Sequence, residues 1–333
     1  MTRDTNVAIN FAGNVFEGAH PIILLADTEL LRKVLIKDFH LFTNRRRIEG
    51  INGPPLNHGL FSLQNDEWKR SRSNVSPTFT TSKLKDNRND FIQIMVDQTE
   101  THNSHLENTD KVETPTKQYL ALKDDEIIGQ ALIFFIAGFE TTASLLSFFM
   151  YALAVNPHVQ EKVFQEICSV CIDENGMNDI SYEKIGQLHY LDAVINETLR
   201  MYPPVTRFDR ESSVPCELGG YMLPTGTIIT VPVYWLHHDP DVWENPEQFI
   251  PERFYSSEKL KRDPLYFVPF GIGPRSCVGM RFAIQTVKLA IVQCLYQFEI
   301  CTCEKTTIPL KFEKALNIFP QDQVWLCVNK RSL

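Results

Sequence analysis

The first half of this chain has no cysteine, and its N-terminus has no apolar run. All eight cysteines (Cys168, Cys171, Cys216, Cys277, Cys294, Cys301, Cys303 and Cys327) lie in the second half of 333 residues, which excludes a small disulfide-stapled scaffold. Reduced thiols in a cytosol-facing protein are expected. "MTRDTNVAIN" has no h-region, so neither a signal peptide nor a membrane anchor is expected there. A basic excess is missing too: 33 Lys and Arg stand against 41 Asp and Glu, and a net charge of -8 argues against nucleic acid as a partner. From Thr99 to Gln118 large apolar side chains are nearly absent, which predicts a solvated loop. No internal repeat is found.

Only one apolar run is long, "IIGQALIFFIAGFETTASLLSFFMYALAV", from Ile127 to Val155. Its length suffices for a bilayer. Glu140 near its centre would be costly in lipid, so a buried core helix is expected instead.

Elsewhere the pattern predicts mainly helices. "PIILLADTELLRKVLIKDF" reads as a short strand, a cap at Asp27 and an amphipathic helix, and "NDEWKRSRSNV" as a basic helix. "NPHVQEKVFQEICSVC" predicts a helix capped by Asn156, with Pro157 in its first turn and a stripe of Val159, Val163, Ile167 and Val170. "YEKIGQLHYLDAVINETLRMYPP" predicts one helix stopped by Pro203 and Pro204. "CELGGYMLPTGTIITVPV" is β-rich, with turns at Gly219-Gly220 and from Pro224 to Gly226. A last helix repeats Ala283, Val287, Ile291, Leu295 and Phe298. The fold class is mainly α with a small β portion, and one domain over residues 1–333 is expected.

"FGIGPRSCVG", Phe270 to Gly279, singles out Cys277. A buried inert thiol is the ordinary reading of an intracellular cysteine. Here Gly271, Gly273 and Gly279 leave room for a flat object near the backbone. A helix expected to begin at the thiol, and the nearby Arg275, both favour the thiolate. A lone thiolate with open space suits a haem iron better than zinc, which takes three or four protein ligands. Cys168 and Cys171 form CxxC without a second pair at zinc spacing, so buried thiols are expected there, and also at Cys301 and Cys303 in the strand-like tail.

That segment resembles the haem-binding signature of the cytochrome P-450 superfamily, matching it at Phe270, Gly273, Arg275, Cys277 and Gly279. The resemblance implies an α-helical prism around haem b (iron protoporphyrin IX), with Cys277 as the axial iron ligand and Phe270, Gly271, Arg275 and Gly279 beside it. "ETLR" is similar to the family's ExxR motif, and its i, i+3 spacing puts Glu197 and Arg200 on one helix face. "PERF" then supplies Arg253 to a structural cluster. "AGFETT" by its residues alone reads as a helix bend. The resemblance implies instead that Glu140 and Thr141 deliver protons to bound dioxygen, a reason for burying a costly carboxylate. "WKRSR" by itself reads as a solvated basic face; the resemblance makes Trp68 and Arg72, with Arg210, partners of the haem propionates. Substrate contacts are implied at Ile133, Ile136, Ala137, Val205, Thr206 and Leu316.

Longer segments, among them "HHDPDVWENPEQFIPERF" and "LHYLDAVINETLRMYPP", look like the microsomal clan of family 3A hydroxylases and thromboxane synthase. This implies a monooxygenase that inserts one atom of dioxygen into a lipophilic small molecule of steroid, fatty acid or xenobiotic class. Electrons would come from NADPH through NADPH-cytochrome P-450 reductase, with cytochrome b5 as a further partner, at the cytosolic face of the endoplasmic reticulum membrane. The alternatives are an endoperoxide isomerase like thromboxane synthase, in which the resemblance places no such threonine, and a non-catalytic truncated product. Two departures stand out. The family's anchor and hinge are not found, and "SPTFTTSKLK", like the end of the third helix, runs straight into "DNRNDFIQIMVDQ", like the segment before the central helix. Several helices are expected to be missing between Lys85 and Asp86, which would leave the distal face of the central helix without a roof.

Overall fold

The computed structural model describes residues 15–17, 20–47, 53–80, 122–172, 180–259, 261–313, 318 and 320–331. The loop expected from Thr99 to Gln118, the junction at Lys85 and Asp86, and Leu316 lie outside the described residues. Helices dominate, as the periodicity predicts. In chain order the elements begin with β1 (Val15–Glu17), β2 (His20–Leu24), α1 (Thr28–Arg32), α2 (Asn65–Val75), α3 (Asp124–Val155), α4 (Pro157–Cys171), α5 (Tyr182–Gly186) and α6 (His189–Met201). They continue with β3 (Phe208–Glu211), β4 (Cys216–Leu218), β5 (Tyr221–Leu223), β6 (Ile228–Val231), α7 (Val233–His238), α8 (Ser256–Lys259), α9 (Met280–Gln297), β7 (Phe298–Cys301) and β8 (Cys327–Lys330). The chain divides into two compact units. One holds the chain up to Lys37, Glu140–Phe208 and everything from Ile229 onward; the other holds Asp38–Phe139 and Asp209–Ile228.

The core of the first unit is made by apolar stripes at helical spacing. Leu145, Phe149 and Leu153 of α3, Val159, Val163 and Ile167 of α4, Leu191, Val194 and Ile195 of α6, and Val287, Ile291 and Leu295 of α9 form one buried cluster. Burying each such side chain contributes about 1.5 to 3 kcal/mol. β1 pairs antiparallel with β2, β6 lies on the other side of β2, and β7 pairs antiparallel with β8. Asp27 caps α1 as predicted, its Oδ1 accepting the Leu30 N–H at 2.8 Å.

Two helix ends differ from the sequence reading. Asn156 precedes α4 without capping it; its Nδ2 donates to Ala152 O at 2.8 Å and so closes the end of α3. The helix expected from Tyr182 to Met201 breaks at Gln187 and Leu188 into α5 and α6. Groups from distant helices stabilise that break. Glu166 of α4 accepts the first N–H groups of α6, from Tyr190 at 2.7 Å and Leu191 at 2.9 Å, where an acid suits the helix dipole. Lys288 of α9, buried in the core stripe, donates to Ile185 O at 3.1 Å at the end of α5 and pairs with Asp192 at 2.7 Å.

In the second unit, α2 and the first part of α3 lie against the loop between residues 53 and 64. Gln130 is fully buried: its Oε1 accepts the Leu60 N–H at 3.0 Å, and its Nε2 donates to His58 O at 3.0 Å and Ser71 Oγ at 2.8 Å. Gly129 allows that approach, since a Cβ there would stand 2.7 Å from Pro55 O. The predicted hairpin forms, with β4 and β5 antiparallel around Gly219-Gly220. Helix α3 corrects one expectation. It is long and apolar enough to cross a membrane, but it is not buried throughout: the stretch from Phe135 to Glu140 is exposed, with Phe135 at 71% and Phe139 at 70%. No described element covers that face, so α3 is buried at Glu126, Gly129 and Gln130 in its first turns and again where its C-terminal turns enter the core.

Candidate functional site

Helix α6 places Glu197 and Arg200 one turn apart in the interior of the first unit, both fully buried. Arg200 Nε donates to Glu197 Oε2 at 2.8 Å and Nη2 to Oε1 at 2.9 Å, the parallel bidentate geometry of a strong ion pair. The remaining guanidinium donors reach His237 O at 3.0 Å and Gln248 O at 3.2 Å. The Ile250 N–H donates to Glu197 Oε1 at 2.9 Å, and Arg253 Nε stands 3.4 Å from the same oxygen. Arg253 is held from behind, donating through Nη2 to Asn245 O at 2.9 Å. The sequence-predicted trio is therefore brought together, with each charge facing an opposite charge or a carbonyl.

A residue that sequence reasoning missed carries this cluster to the cysteine. His237, at the end of α7, is fully buried; its Nδ1 donates to Leu199 O at 3.2 Å while Nε2 accepts the Val268 N–H at 3.0 Å. An N–H pointing at Nε2 requires the neutral ring, and burial pushes the imidazole pKa down to about 3. The only signal in the sequence is a histidine pair inside the apolar run "VYWLHH".

From Val268 the chain folds into the cysteine loop. Val268 O accepts the Gly271 N–H at 2.9 Å, Gly273 O accepts that of Ser276 at 3.0 Å, and Phe270 O accepts that of Cys277 at 2.8 Å. Phe270 packs on the core of the unit and anchors the loop. Gly273 has φ +77°, and a Cβ there would lie 2.0 Å from Leu35 O, so only glycine fits. Its reason is thus the neighbouring backbone, which corrects the expectation that it clears room for a ligand. Around Gly271 the space is open, the nearest atom to an added Cβ being Ser276 Cα at 3.9 Å. Arg275 is buried while Cys277 is exposed. The helix does not begin at the thiol: Gly279 precedes α9, which starts at Met280, because the turn through Val278 and Gly279 comes first.

The other predicted residues fall as follows. In the first unit Glu140 is exposed and Thr141 half-buried, so the burial expected of this carboxylate is not found. Val205 is exposed and Thr206 half-buried, Thr206 O accepting the Tyr234 N–H at 3.0 Å. In the second unit α2 is not a solvated face: Trp68 is buried against Phe39, with ring centroids 5.6 Å apart, and Arg72 is half-buried. Arg210 is 1% exposed, and burial, with the like charge of Arg45, brings its pKa down to about 9. Ile133 is half-buried, and Ile136 and Ala137 are exposed. None of the eight cysteines is in a disulfide, and among the described residues no three His, Cys, Asp or Glu side chains converge on a metal site.

An accessible thiol on a loop tied down by backbone bonds, beside a glycine with open space, is what a single sulfur ligand to a large flat cofactor requires. These residues fit haem. A sequence model of the family described as Cytochrome P450 matches residues 13–114 and 85–328. Cytochrome P450 3A31 of Mesocricetus auratus is 30% identical over 441 aligned residues, covering 95% of this chain and 84% of that protein. Cytochrome P450 3A5 of Homo sapiens is 40% identical over 439, with the same coverages of 95% and 84%. Cytochrome P450 3A7 of Homo sapiens is 44% identical over 224, covering 67% of this chain and 42% of that protein, less than half its length. The chain belongs to the cytochrome P450 family, the haem monooxygenases, oxidoreductases that incorporate molecular oxygen. An alignment of 441 positions exceeds the 333 residues of this chain, so at least 108 of them face a gap.

Proposed function

We propose that this chain is a haem-thiolate monooxygenase whose Cys277 is the axial ligand of haem b, acting on a lipophilic small molecule of steroid, fatty acid or xenobiotic class. The observation that carries the reading is the continuous buried connection from Glu197 and Arg200, through His237, to the loop that presents Cys277. A rigid support keeps the sulfur aimed while its exposed side stays open. When bound, haem supplies the dioxygen chemistry. Arg210, buried and with its pKa pulled down by that burial, gains from a carboxylate placed beside it, which suits a propionate, with Trp68 and Arg72 as its companions. Glu140 and Thr141 are the proton-handling pair, the exposed carboxylate taking protons from water and the adjacent hydroxyl passing them on. Electrons come from NADPH through a reductase, with cytochrome b5 as a second donor, at the cytosolic face of the endoplasmic reticulum.

The test is spectroscopic. Cys277→His should abolish the red-shifted absorption of the reduced carbonyl complex while leaving the far-ultraviolet circular dichroism unchanged. An unaltered absorption band would remove Cys277 from the iron.

A second reading, a non-catalytic product, is favoured by the exposed face of α3 around Phe135 and Phe139. Turnover per bound haem in the purified protein separates the two: product formed in proportion to bound haem supports the enzyme, and protein with no haem, or with haem but no product, supports the inactive product.

A further inference from the structure

The register of β7 and β8 sets Cys301 directly opposite Cys327. Ile300 turns its backbone away from β8, its N–H donating to Gln160 Oε1 and its O accepting from Gln160 Nε2, each at 2.8 Å. The Arg331 N–H donates to Gln297 O at 2.9 Å, so bonded pairs alternate along the ladder and Cys301 with Cys327 is one of them. Such a pair holds its Cα atoms about 5.5 Å apart, inside the roughly 4.4 to 6.8 Å that a disulfide spans. Directly opposed side chains leave the same face of the sheet. Asn329 marks that face: two residues beyond Cys327, its Nδ2 donates to Cys301 Sγ at 3.4 Å. Cys327 is exposed, Cys301 half-buried, and both are thiols. Cys303 lies past the end of β7, held in a turn where Thr306 Oγ1 accepts its N–H at 2.8 Å.

We propose that Cys301 and Cys327 are a peroxide-sensitive thiol pair that closes into a cross-strand disulfide. Exposed Cys327 reacts first: its thiolate attacks one oxygen of hydrogen peroxide, the O–O bond breaks, and hydroxide leaves as water after taking a proton. The resulting sulfenic acid is then attacked by Cys301 Sγ. The S–O bond breaks, a second water departs, and the S–S bond forms. Two thiols lose two electrons and peroxide is reduced to two waters. Burial holds the Cys301 thiol above its ordinary pKa, which suits the partner that reacts second. The closed loop contains Phe312, which packs on Phe148 of α3 and Tyr202 at the end of α6, with centroids 6.3 and 6.0 Å away. Oxidation therefore ties the C-terminal segment to the core, chiefly by restricting the unfolded chain. The chemistry needs no haem.

Purified protein, freed of reductant, is titrated with hydrogen peroxide, its remaining thiols are alkylated, and it is digested without reduction for mass spectrometry. The expected product joins the peptides of Cys301 and Cys327, with two of the eight thiols lost per chain and dithiothreitol restoring both. Oxidation should raise the thermal midpoint in the unmodified sequence and in Cys303→Ser, and leave it unmoved in Cys301→Ser and Cys327→Ser. A link through Cys303, sulfinic or sulfonic acid on Cys327 without a link, or no loss of thiols would each overturn the proposal.

Discussion

Glu197 holds three groups at once: two arginines and the Ile250 N–H converge on its carboxylate in the interior. Removing a charge from a buried cluster leaves its partners uncompensated, at a cost of about 3 to 5 kcal/mol. Glu197→Ala should therefore shift the urea midpoint far more than Arg253→Ala, because Arg253 makes one longer contact and Arg200 would remain paired. Equal shifts would show that the cluster is not centred on Glu197. His237 adds a pH dependence. Its pKa is about 3 folded against 6.5 in the open chain, so between those values the unfolded state binds a proton that the native state refuses. Stability thus falls as pH drops through that window, by at most about 1.4 kcal/mol per unit, and is unaffected above it. Arg200 and His238 nearby push the same way. His237→Asn, which keeps a donor toward Leu199, should flatten thermal midpoint against pH over the acid range. An unchanged slope would assign the acid sensitivity elsewhere.

At the scale of elements, α3 is the helix with two characters. Its C-terminal turns are core, while Phe135 and Phe139 stack on each other in the open, centroids 6.2 Å apart. Each large side chain left wet forgoes roughly 1.5 to 3 kcal/mol, so this face favours aggregation or a lipid surface. Phe135→Ser with Phe139→Ser should cut sedimentation with phospholipid vesicles and raise the monomer fraction in gel filtration. Persistence of both behaviours would place the sticky surface elsewhere. On the same helix, Thr141→Ala should let NADPH consumption continue while product falls and peroxide rises. Unaltered coupling with weaker substrate affinity would make Thr141 pocket lining only.

For the whole molecule, the decisive quantity is the more than one hundred aligned positions of its relatives that have no counterpart here. A domain is stable by only about 5 to 15 kcal/mol, and several exposed apolar side chains consume much of that margin. The framework of α6, α7, α9 and the cysteine loop has its own core and polar bonds, so it should survive. Haem content well below one per chain and slow turnover are therefore expected. Absorbance at the haem band against protein mass, with turnover in a reductase-supplied assay, checks both. A soluble monomer with full haem and normal turnover would show that the missing segment is dispensable.

Sequence alone determined whatever depends on near neighbours. The i, i+3 spacing of Glu197 and Arg200, the cap at Asp27 and the stripes of α4 and α9 are local patterns whose consequences follow from helix geometry. Tertiary structure decided what depends on residues far apart in the chain. His237 is a bridge only because α7 returns beside α6 and Val268. Gly273 is obligatory only because Leu35 arrives above it. Glu166 and Lys288 break a helix that its own periodicity would continue, and Glu140 lies exposed because no described element covers that stretch of α3. Cys301 and Cys327 become a pair only through a register that neither strand specifies alone, since cross-strand contact depends on which residue of a distant segment comes to lie opposite.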